Sequence, residues 1–294
     1  MLTLTLALAL ALALRLALTL PLALTLPRTP SLPLPLTLAP ARPDHMNNPW
    51  RSLMGKGCAV IVGAGTGTGA EVAKRFAANG YAVALARRNA EALGPLVAEI
   101  EATGGQARAF GADASDEGAV ASLFESAEGA LGPVEVAVFN AAGFTMGSIL
   151  DTTVEAFEDM WRASALGGFL VGREAARYMV PRERGTILFS GATAAMKASA
   201  NFAAFASGKH GLRAVAQSMA KELGPKGIHV AHAIIDGVID VPRVHESMPD
   251  FAASKGKDGL IDPKSIAEMY LWLHEQPLNA WTFELDLRPY REPW

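Results

Sequence analysis

A cluster of glycines is the first feature of the sequence whose residue types and spacing could do chemistry. An apolar run at residues 58–62 leads into Gly63-Ala-Gly-Thr-Gly-Thr-Gly69, and apolar residues then recur at helical spacing over residues 70–79. Glycine lets a backbone approach a ligand closely, and the free N–H groups at a helix N-terminus favour an anion. This spacing between an apolar run and a helix therefore predicts nucleotide binding. The residues expected to line the loop are Gly63, Gly65, Thr66, Gly67, Thr68 and Gly69.

Two arginines follow the second apolar run and indicate which nucleotide the loop takes. Residues 81–86 are apolar, and Arg87 and Arg88 come next. In a dinucleotide-binding domain the tip of this strand lies beside the adenosine ribose. An acid there bonds the 2′-hydroxyl of NAD, whereas an arginine accommodates the 2′-phosphate of NADP. Two arginines and no acid favour NADP over NAD, although an arginine is also ordinary at a solvated strand end.

Three motifs, taken in order, resemble those of the short-chain dehydrogenase/reductase family. They are the glycine loop, Asn140-Ala-Ala-Gly143 after the fourth apolar run, and Phe205-x-x-x-Lys209 in a long helical segment. The resemblance covers about residues 58–245. It implies a Rossmann fold, binding of NAD(P), and transfer of a hydride to or from an alcohol or carbonyl carbon.

The resemblance also implies further contacts with the cofactor. Asp113 matches the position that contacts adenine, and Asn140 matches the first Asn of the family's Asn-Asn-Ala-Gly. Asp236 stands where the family usually has proline, and Val241 where it often has a threonine near the nicotinamide. The contacts implied beyond the glycine loop and the arginines are Asp113, Ala114, Asn140, Ala141, Gly143, Lys209, Gly237 and Ile239.

The catalytic positions of the family are only partly retained. The lysine is present as Lys209, but Phe205 occupies the tyrosine position and Ala192, with Thr193 beside it, the serine position. The asparagine position is Ser164. A carbonyl that accepts a hydride needs a proton, which a tyrosine beside a lysine ammonium supplies and a phenylalanine does not.

Two functions are therefore compatible with the sequence. One is an NADP-dependent oxidoreductase that acts on a carbonyl or secondary alcohol with non-standard proton delivery. The other is a nucleotide-binding sensor or partner subunit with little catalysis. In the first case Thr193, Ser190 or a water held by Lys209 could partly replace the tyrosine. The candidate catalytic set is Lys209, Phe205, Thr193 and Ser190.

Short apolar runs and helical segments alternate between these motifs. Strands with no polar alternation are buried on both faces, as in a parallel sheet with helical crossovers. Ser115 and a Thr152-x-x-Glu155 capping box are predicted to open two of the helices, and Asp262-Pro263 the last. The sequence predicts one doubly wound α/β domain, the Rossmann fold, over residues 46–294. Its predicted strands are 58–62, 81–86, 107–110, 134–139, 186–189, 228–235 and 282–287, and its predicted helices 70–79, 89–104, 115–132, 152–180, 203–223 and from 263 onward.

The first 45 residues differ from the rest. Leucine occupies every even position from 2 to 26, leucine and proline then alternate, and no acidic residue precedes Asp44. The segment is interpreted as a low-complexity extension outside the fold. An organelle-targeting peptide is the main alternative, but serine is scarce and the period is 2 rather than 3.6. A membrane anchor is disfavoured because Arg15 and Pro21 interrupt the apolar run.

The composition excludes several other classes of protein. Hydrophobic residues make up 50% of the chain and charged residues 19%, which excludes a disordered protein. The net charge of −3 does not suggest a basic surface that would bind nucleic acid. The chain has one cysteine, Cys58, which excludes an internal disulfide. No metal site is expected, since His229 and His232 lie three apart on one predicted strand and so on opposite faces. A cytoplasmic protein without membrane contact is the expected setting.

Family resemblance also implies association of subunits. Members commonly pair through two long helices, which here are residues 153–180 and 203–223. The first carries a series of small residues that would allow close approach. The chain is accordingly expected to form a homodimer or homotetramer. The small residues are Ala163, Ala165, Gly167, Gly168 and Gly172.

Overall fold

The computed structural model describes residues 56–292, in which seven strands form one parallel sheet in the order β3-β2-β1-β4-β5-β6-β7. Successive strands are joined by helical crossovers, so the predicted doubly wound α/β fold is confirmed. The strands are β1 (Cys58–Val62), β2 (Ala82–Arg87), β3 (Gln106–Gly111), β4 (Val134–Phe139), β5 (Gly185–Ser190), β6 (Ile228–Ile235) and β7 (Glu284–Leu287).

Helices cover both faces of the sheet. The longest, α6, has the bounds that the sequence predicts. The helices are α1 (Thr68–Ala78), α2 (Gly94–Ala102), α3 (Glu117–Leu131), α4 (Val154–Trp161), α5 (Gly167–Met179), α6 (Ala203–Leu223), α7 (Pro242–Ser247), α8 (Pro249–Lys255) and α9 (Pro263–His274).

The core is divided between the two faces of the sheet. On one face, Phe76 of α1 and Tyr270 of α9 pack with buried residues of β1 and β2. On the other face, Phe124 of α3, Phe139 and Leu212 of α6 form the second cluster. Strands β1, β2 and β4 are buried at nearly every position, as their continuous apolar sequences predict.

Two predicted helix starts are wrong by one residue. Thr153, not Thr152, caps α4 by accepting from the amide of Ala156 at 3.1 Å, while the Thr152 hydroxyl donates to the carbonyl of Ser148 at 2.7 Å. Asp116, not Ser115, caps α3 in the same way. In each case two adjacent residues were able to cap a helix, and only the turn that precedes the helix selects one of them.

The predicted single helix over 152–180 is divided in the structure. A π-helical turn, Arg162–Leu166, separates α4 from α5. Such turns are rare, are often found at functional sites, and have no clear pattern in apolar spacing.

The small residues of this region do not form the outer surface expected of them. A Cβ added to Gly168 would lie 2.2 Å from Leu212 Cδ1, and one added to Gly172 would lie 2.7 Å from Met219 Sδ. Ala165 is buried as well. Gly168 and Gly172 are small because α5 packs tightly on α6 and the sheet of the same chain, and Ala165 of the π-helical turn packs against Gly211 of α6.

The leucine-rich segment 1–45 lies outside the described residues, so its role stays a prediction. Within residues 56–292, no helix is both long and apolar enough to span a membrane.

Candidate active site

The glycine loop occupies the crevice where the strand order reverses, between β1 and β4. The amides of Gly63 and Ala64 both donate to the carbonyl of Ala86, at 2.9 and 3.1 Å. Gly63 has φ +90°, and a Cβ there would lie 2.5 Å from the amide nitrogen of Ala141. Only glycine fits a positive φ so close to another backbone, which explains this position.

Two other glycines of the loop differ in what surrounds them. A Cβ at Gly69 would lie 2.3 Å from the carbonyl oxygen of Gly63, so α1 packs directly on the end of β1. A Cβ at Gly65 would meet nothing within 4 Å. Packing within the chain therefore requires glycine at position 69. It does not require glycine at position 65, where there is open space beside the backbone.

The N-terminus of α1 directly follows this loop. Gly67 precedes the helix and provides no side-chain cap for its first amides. Free amides at a helix N-terminus are a site for phosphate. The residues present thus fit a dinucleotide, whose phosphates would meet the backbone at Gly65 and the first turn of α1, beside Thr66 and Thr68.

The predicted ribose and adenine contacts lie at neighbouring strand ends. Arg87 ends β2, and Arg88 follows it at the surface. Asp113, after β3, accepts from the Ser115 amide at 2.9 Å and the Ser115 hydroxyl at 2.7 Å. These two bonds lower the pKa of Asp113, and the nearby charge of Arg88 adds to the effect. Ala114 lies close to Gly167 of α5, 3.4 Å from where a Cβ would be.

A buried chain of hydrogen bonds connects the ends of β1, β4 and β5. Asn140 Nδ2 donates to the carbonyl of Gly63 at 3.2 Å, and Ser190 Oγ donates to Asn140 Oδ1 at 2.9 Å. The Tyr270 hydroxyl lies 2.6 Å from Ser190 Oγ. Because the single proton of Ser190 goes to Asn140, Tyr270 must donate to Ser190. Ser190 is thus held within the fold, which favours a positioning role for it over direct contact with substrate.

Tyr270 is a residue that the sequence did not single out. It is fully buried in α9, and burial raises the pKa of its hydroxyl. It lies 80 residues from Ser190. Its apolar neighbours in α9 gave no sign that it would reach the end of β5.

Lys209 is buried beside this network. Its side chain is 4% exposed, and Nζ donates to the carbonyl oxygen of Ser190 at 2.9 Å. Burial lowers its pKa from 10.5 to about 8. A Cβ at the preceding residue, Gly208, would lie 3.1 Å from Ser164 Cβ, so the π-helical turn packs against the helix turn that carries the lysine.

Phe205, one turn before Lys209, belongs to an aromatic cluster. Its ring centroid lies 5.3 Å from that of Phe144 and 6.5 Å from that of Phe202. Phe144 is 58% exposed, so the cluster is open to solvent on one side. Phe205, which the resemblance assigns to the tyrosine position, thus contributes an apolar ring to this cluster.

A second polar group lies at the ends of β5, β6 and β7. Thr193 Oγ1 donates to Asp236 Oδ1, and Arg288 forms an ion pair with Asp236 Oδ2. Arg288 also lies 3.1 Å from Asp286 Oδ2. In the sequence, Asp236 is notable only because it stands where the family usually has proline. Arg288 was not anticipated, because its partner lies 52 residues away.

The segment after β6 returns to the glycine loop. Ile239 forms a parallel bridge with Ile261, and a Cβ at Gly67 would lie 2.8 Å from Val241 Cγ1. A Cβ at Gly237 would lie 2.8 Å from Pro289 Cδ, which places the C-terminal tail against this segment. Gly143, at the end of the Asn140 motif, faces the side chain of Met160.

The two histidines of β6 are each engaged. His229 Nε2 lies 2.9 Å from the carbonyl of Thr282, and its ring is parallel to that of Trp281. His232 Nδ1 lies 3.0 Å from Glu284 Oε2, and burial lowers the pKa of the ring to about 4. Nowhere in residues 56–292 are three His, Cys, Asp or Glu side chains grouped to hold a metal ion.

Comparison with known proteins identifies the family. Residues 57–250 match the short chain dehydrogenase family. The chain belongs to this family. A 2-dehydro-3-deoxy-L-rhamnonate dehydrogenase (NAD(+)) of Sphingomonas sp. (strain SKA58) is 30% identical over 222 residues, which cover 73% of this chain and 87% of the relative.

Two solved short-chain dehydrogenases have the same fold. One, from Rhodopseudomonas palustris, is 44% identical, with a TM-score of 0.69, and the match covers 80% of this chain and 99% of that one. The other, a metagenomic short-chain oxidoreductase in complex with NADP, is 26% identical, with a TM-score of 0.67, covering 79% and 96%.

The chain is thus a short-chain oxidoreductase with a nucleotide-binding Rossmann fold. The structure brings Gly63, Asn140, Ser190 and Lys209 together around the end of β4. Thr193 and Asp236 form a separate pair toward β6. Arg87 lies farther out, at the end of β2, and Asp113 lies shortly after the end of β3.

Proposed function

We propose that this protein is an NADP-dependent oxidoreductase that acts on a carbonyl or secondary alcohol without a tyrosine acid. The observation that carries the proposal is Lys209. Its ammonium group is buried at the open crevice and makes one hydrogen bond, to a backbone carbonyl. Burying a lysine is costly, and a ligand with hydroxyl groups would offset that cost by accepting from it.

The cofactor would be held at three places. The first-turn amides of α1 would bind its phosphates, Arg87 and Arg88 the 2′-phosphate, and Lys209 the hydroxyls of the ribose on the nicotinamide side. When bound, the cofactor supplies or accepts the hydride. The protein's own contribution is to orient the reacting carbon and to transfer the proton.

A titration of NADPH and NADH tests the cofactor assignment. A charge-assisted contact with the 2′-phosphate contributes roughly 1.5–3 kcal/mol, so NADPH should bind about 10- to 150-fold more tightly. The double variant Arg87→Ala/Arg88→Ala should lose that preference and leave NADH binding unchanged. Arg108→Ala, an exposed arginine on the adjacent strand β3, is the control and should change neither affinity. Equal affinities in the wild type would contradict the assignment to NADP.

A nucleotide sensor is the second candidate, and Phe205 is the observation that favours it. Single-turnover oxidation of bound NADPH, followed by absorbance against a panel of carbonyl compounds, separates the two. Turnover of any compound supports the oxidoreductase. Tight NADPH binding with no oxidation across the panel supports the sensor.

We also propose that the chain forms a homodimer or homotetramer through α4 and α6. The surface of α4 supports this, since Val154, Phe157 and Trp161 lie at spacings of three and four and are all exposed. An apolar face of this kind is typical of a subunit contact.

A further inference from the structure

Thr193 and Asp236 form a hydrogen bond, and the direction of that bond limits which ligand groups Thr193 can bind. Thr193 opens a short 3₁₀ turn, Thr193–Ala195, which packs against α6, the helix of Phe205 and Lys209. Asp236 is 7% exposed, whereas Thr193 is half-buried and directly follows Ala192, which the resemblance assigns to the family's serine position. Thr193 is therefore the member of the pair that a substrate can reach.

The direction of the bond between the two residues is fixed. Arg288 forms an ion pair with Asp236, and an ionised carboxylate can only accept hydrogen bonds. The single proton of the Thr193 hydroxyl is therefore committed to Asp236 Oδ1. Only the lone pairs of the Thr193 hydroxyl then remain to bind a ligand. A carbonyl oxygen has no proton to give them, but the hydroxyl of an alcohol does.

We propose that Thr193, backed by Asp236, is an acceptor site for a substrate hydroxyl, so that the enzyme selects a secondary alcohol and works as an alcohol oxidiser. The inference deepens the proposed oxidoreductase function and rests on it. Arg288 is a positioning residue in this arrangement, because it touches Asp236 and not the substrate.

The proton and the electron pair balance in this direction. The C–H bond of the alcohol carbon breaks, and its hydrogen leaves with the electron pair as hydride to the oxidised nicotinamide dinucleotide. The O–H proton passes to Thr193 Oγ1 while the proton of Thr193 passes to Asp236 Oδ1, from where it is released to solvent. As the hydride leaves, the hydroxyl gains the acidity of a protonated carbonyl, so its proton can pass through Thr193 to a carboxylate.

Equilibrium binding of an alcohol and its ketone tests the inference without turnover. Borneol would be titrated into the complex with NADPH, and camphor into the complex with NADP, because neither combination can react. Thr193→Val removes one hydrogen bond to borneol and should weaken it about 10-fold while leaving camphor unchanged. Thr193→Ser keeps the hydroxyl and should bind both probes as the wild type does.

Asp236→Asn gives a sharper test because it should reverse the preference. Arg288 only donates, so it would face the amide oxygen and turn the amide nitrogen toward Thr193. Thr193 would then accept from Asn and aim its own proton at the substrate. Borneol should bind about 10-fold more weakly and camphor more tightly. Asp286→Asn, the other carboxylate on Arg288, is the matched control and should leave the ratio unchanged.

The outcomes separate the inference from the proposed function. If neither NADPH nor NADP binds, the oxidoreductase proposal fails. If the cofactors bind but the wild type prefers camphor or binds neither probe, the acceptor site is overturned. It is also overturned if Thr193→Val weakens both probes equally, or if Asp236→Asn leaves their ratio unchanged.

Discussion

Lys209 and Phe205 lie one turn apart on α6, and the proposed chemistry depends on both residues. The resemblance to the family implies a tyrosine four residues before the lysine, and the residue at that position here is Phe205, which has no hydroxyl. The ammonium is retained even though its burial is costly, as its lowered pKa of about 8 indicates. In the proposed function, Lys209 would bind the cofactor, and Phe205 would leave the site without the family's proton donor.

Restoring the hydroxyl should raise turnover in the reducing direction. We expect Phe205→Tyr to speed NADPH oxidation with a carbonyl substrate, because a tyrosine there would lie one helical turn from Lys209. The gain should remain below the 10²–10⁴-fold typical of a general acid, since Ala192 cannot orient the substrate oxygen and such groups act together. Adding Ala192→Ser should increase it further.

Phe202→Tyr provides the control for this comparison. It adds a hydroxyl to the same aromatic cluster but not at the position one turn before Lys209, so rates should stay at the wild-type level. A wild type that already turns over rapidly, and is slowed by Phe205→Tyr, would contradict the expectation and direct attention to Thr193.

The buried ammonium should also make stability depend on pH. The pKa of Lys209 is lowered to about 8 in the folded chain, against 10.5 for a free lysine. Between those values the unfolded chain binds more protons, so the lysine's contribution to stability rises with pH. We expect the free energy of unfolding of Lys209→Met, relative to that of the wild type, to be highest below pH 8. This advantage should shrink by about 3 kcal/mol above pH 10.5.

Urea unfolding of the cofactor-free protein across that pH range measures the difference. Lys221→Met removes an exposed lysine from the same helix and controls for the loss of a charge on α6. The loss of the bond to Ser190 in Lys209→Met shifts the curve vertically but does not change its slope. A difference between Lys209→Met and wild type that is flat from pH 7 to 11 would refute the burial of a charged amine.

Among the elements, the strands and the glycine loop could be predicted from the sequence, but their long-range partners could not. Apolar runs and helical spacing are local signals, so β1, β4, β6 and α6 were placed to within a residue. The contact between Ser190 and Tyr270 joins residues 80 apart, and no local pattern contains it. The two cap errors depended on the turns that precede the helices, and the π-helical turn has no clear pattern in the spacing of apolar residues.

The glycine loop allows fold and ligand binding to be separated by single substitutions. Gly69→Ala would place a Cβ 2.3 Å from a backbone oxygen and should cost about 1–3 kcal/mol of stability, seen as a lower melting temperature. Gly65→Ala adds its methyl group to open space. It should change stability by no more than about 0.5 kcal/mol while weakening NADPH binding, because the methyl stands where phosphate would approach.

Gly94→Ala is the matched control for both glycine variants. Its Cβ also meets nothing within 4 Å, but the residue begins α2, away from the loop. We expect unchanged NADPH binding and an equal or slightly higher melting temperature. If Gly65→Ala bound NADPH as tightly as Gly94→Ala does, the phosphates would have to lie elsewhere.

At the scale of the whole molecule, the residues that support subunit association in the structure differ from those that the sequence suggested. The sequence pointed to small residues on the helix over 153–180, but the structure shows that Gly168 and Gly172 are packed within the chain. The exposed apolar surface is provided instead by α4. Phe157 is 41% and Trp161 44% exposed, and the Trp161 ring lies beside Gly211 of α6. The same pair of helices remains the expected contact, with large side chains rather than small ones at its centre.

A charge in the middle of that surface should prevent association. We expect the wild type to sediment at two or four times the mass of one chain at micromolar concentration. Phe157→Arg should sediment as a monomer, because burying an unpaired guanidinium in the contact costs several kcal/mol. Leu150→Arg is the control, since Leu150 is 93% exposed and lies before α4 rather than on it. A wild type that sediments as a single chain would refute the expected oligomer. If both variants dissociated alike, the subunit contact would not be centred on α4.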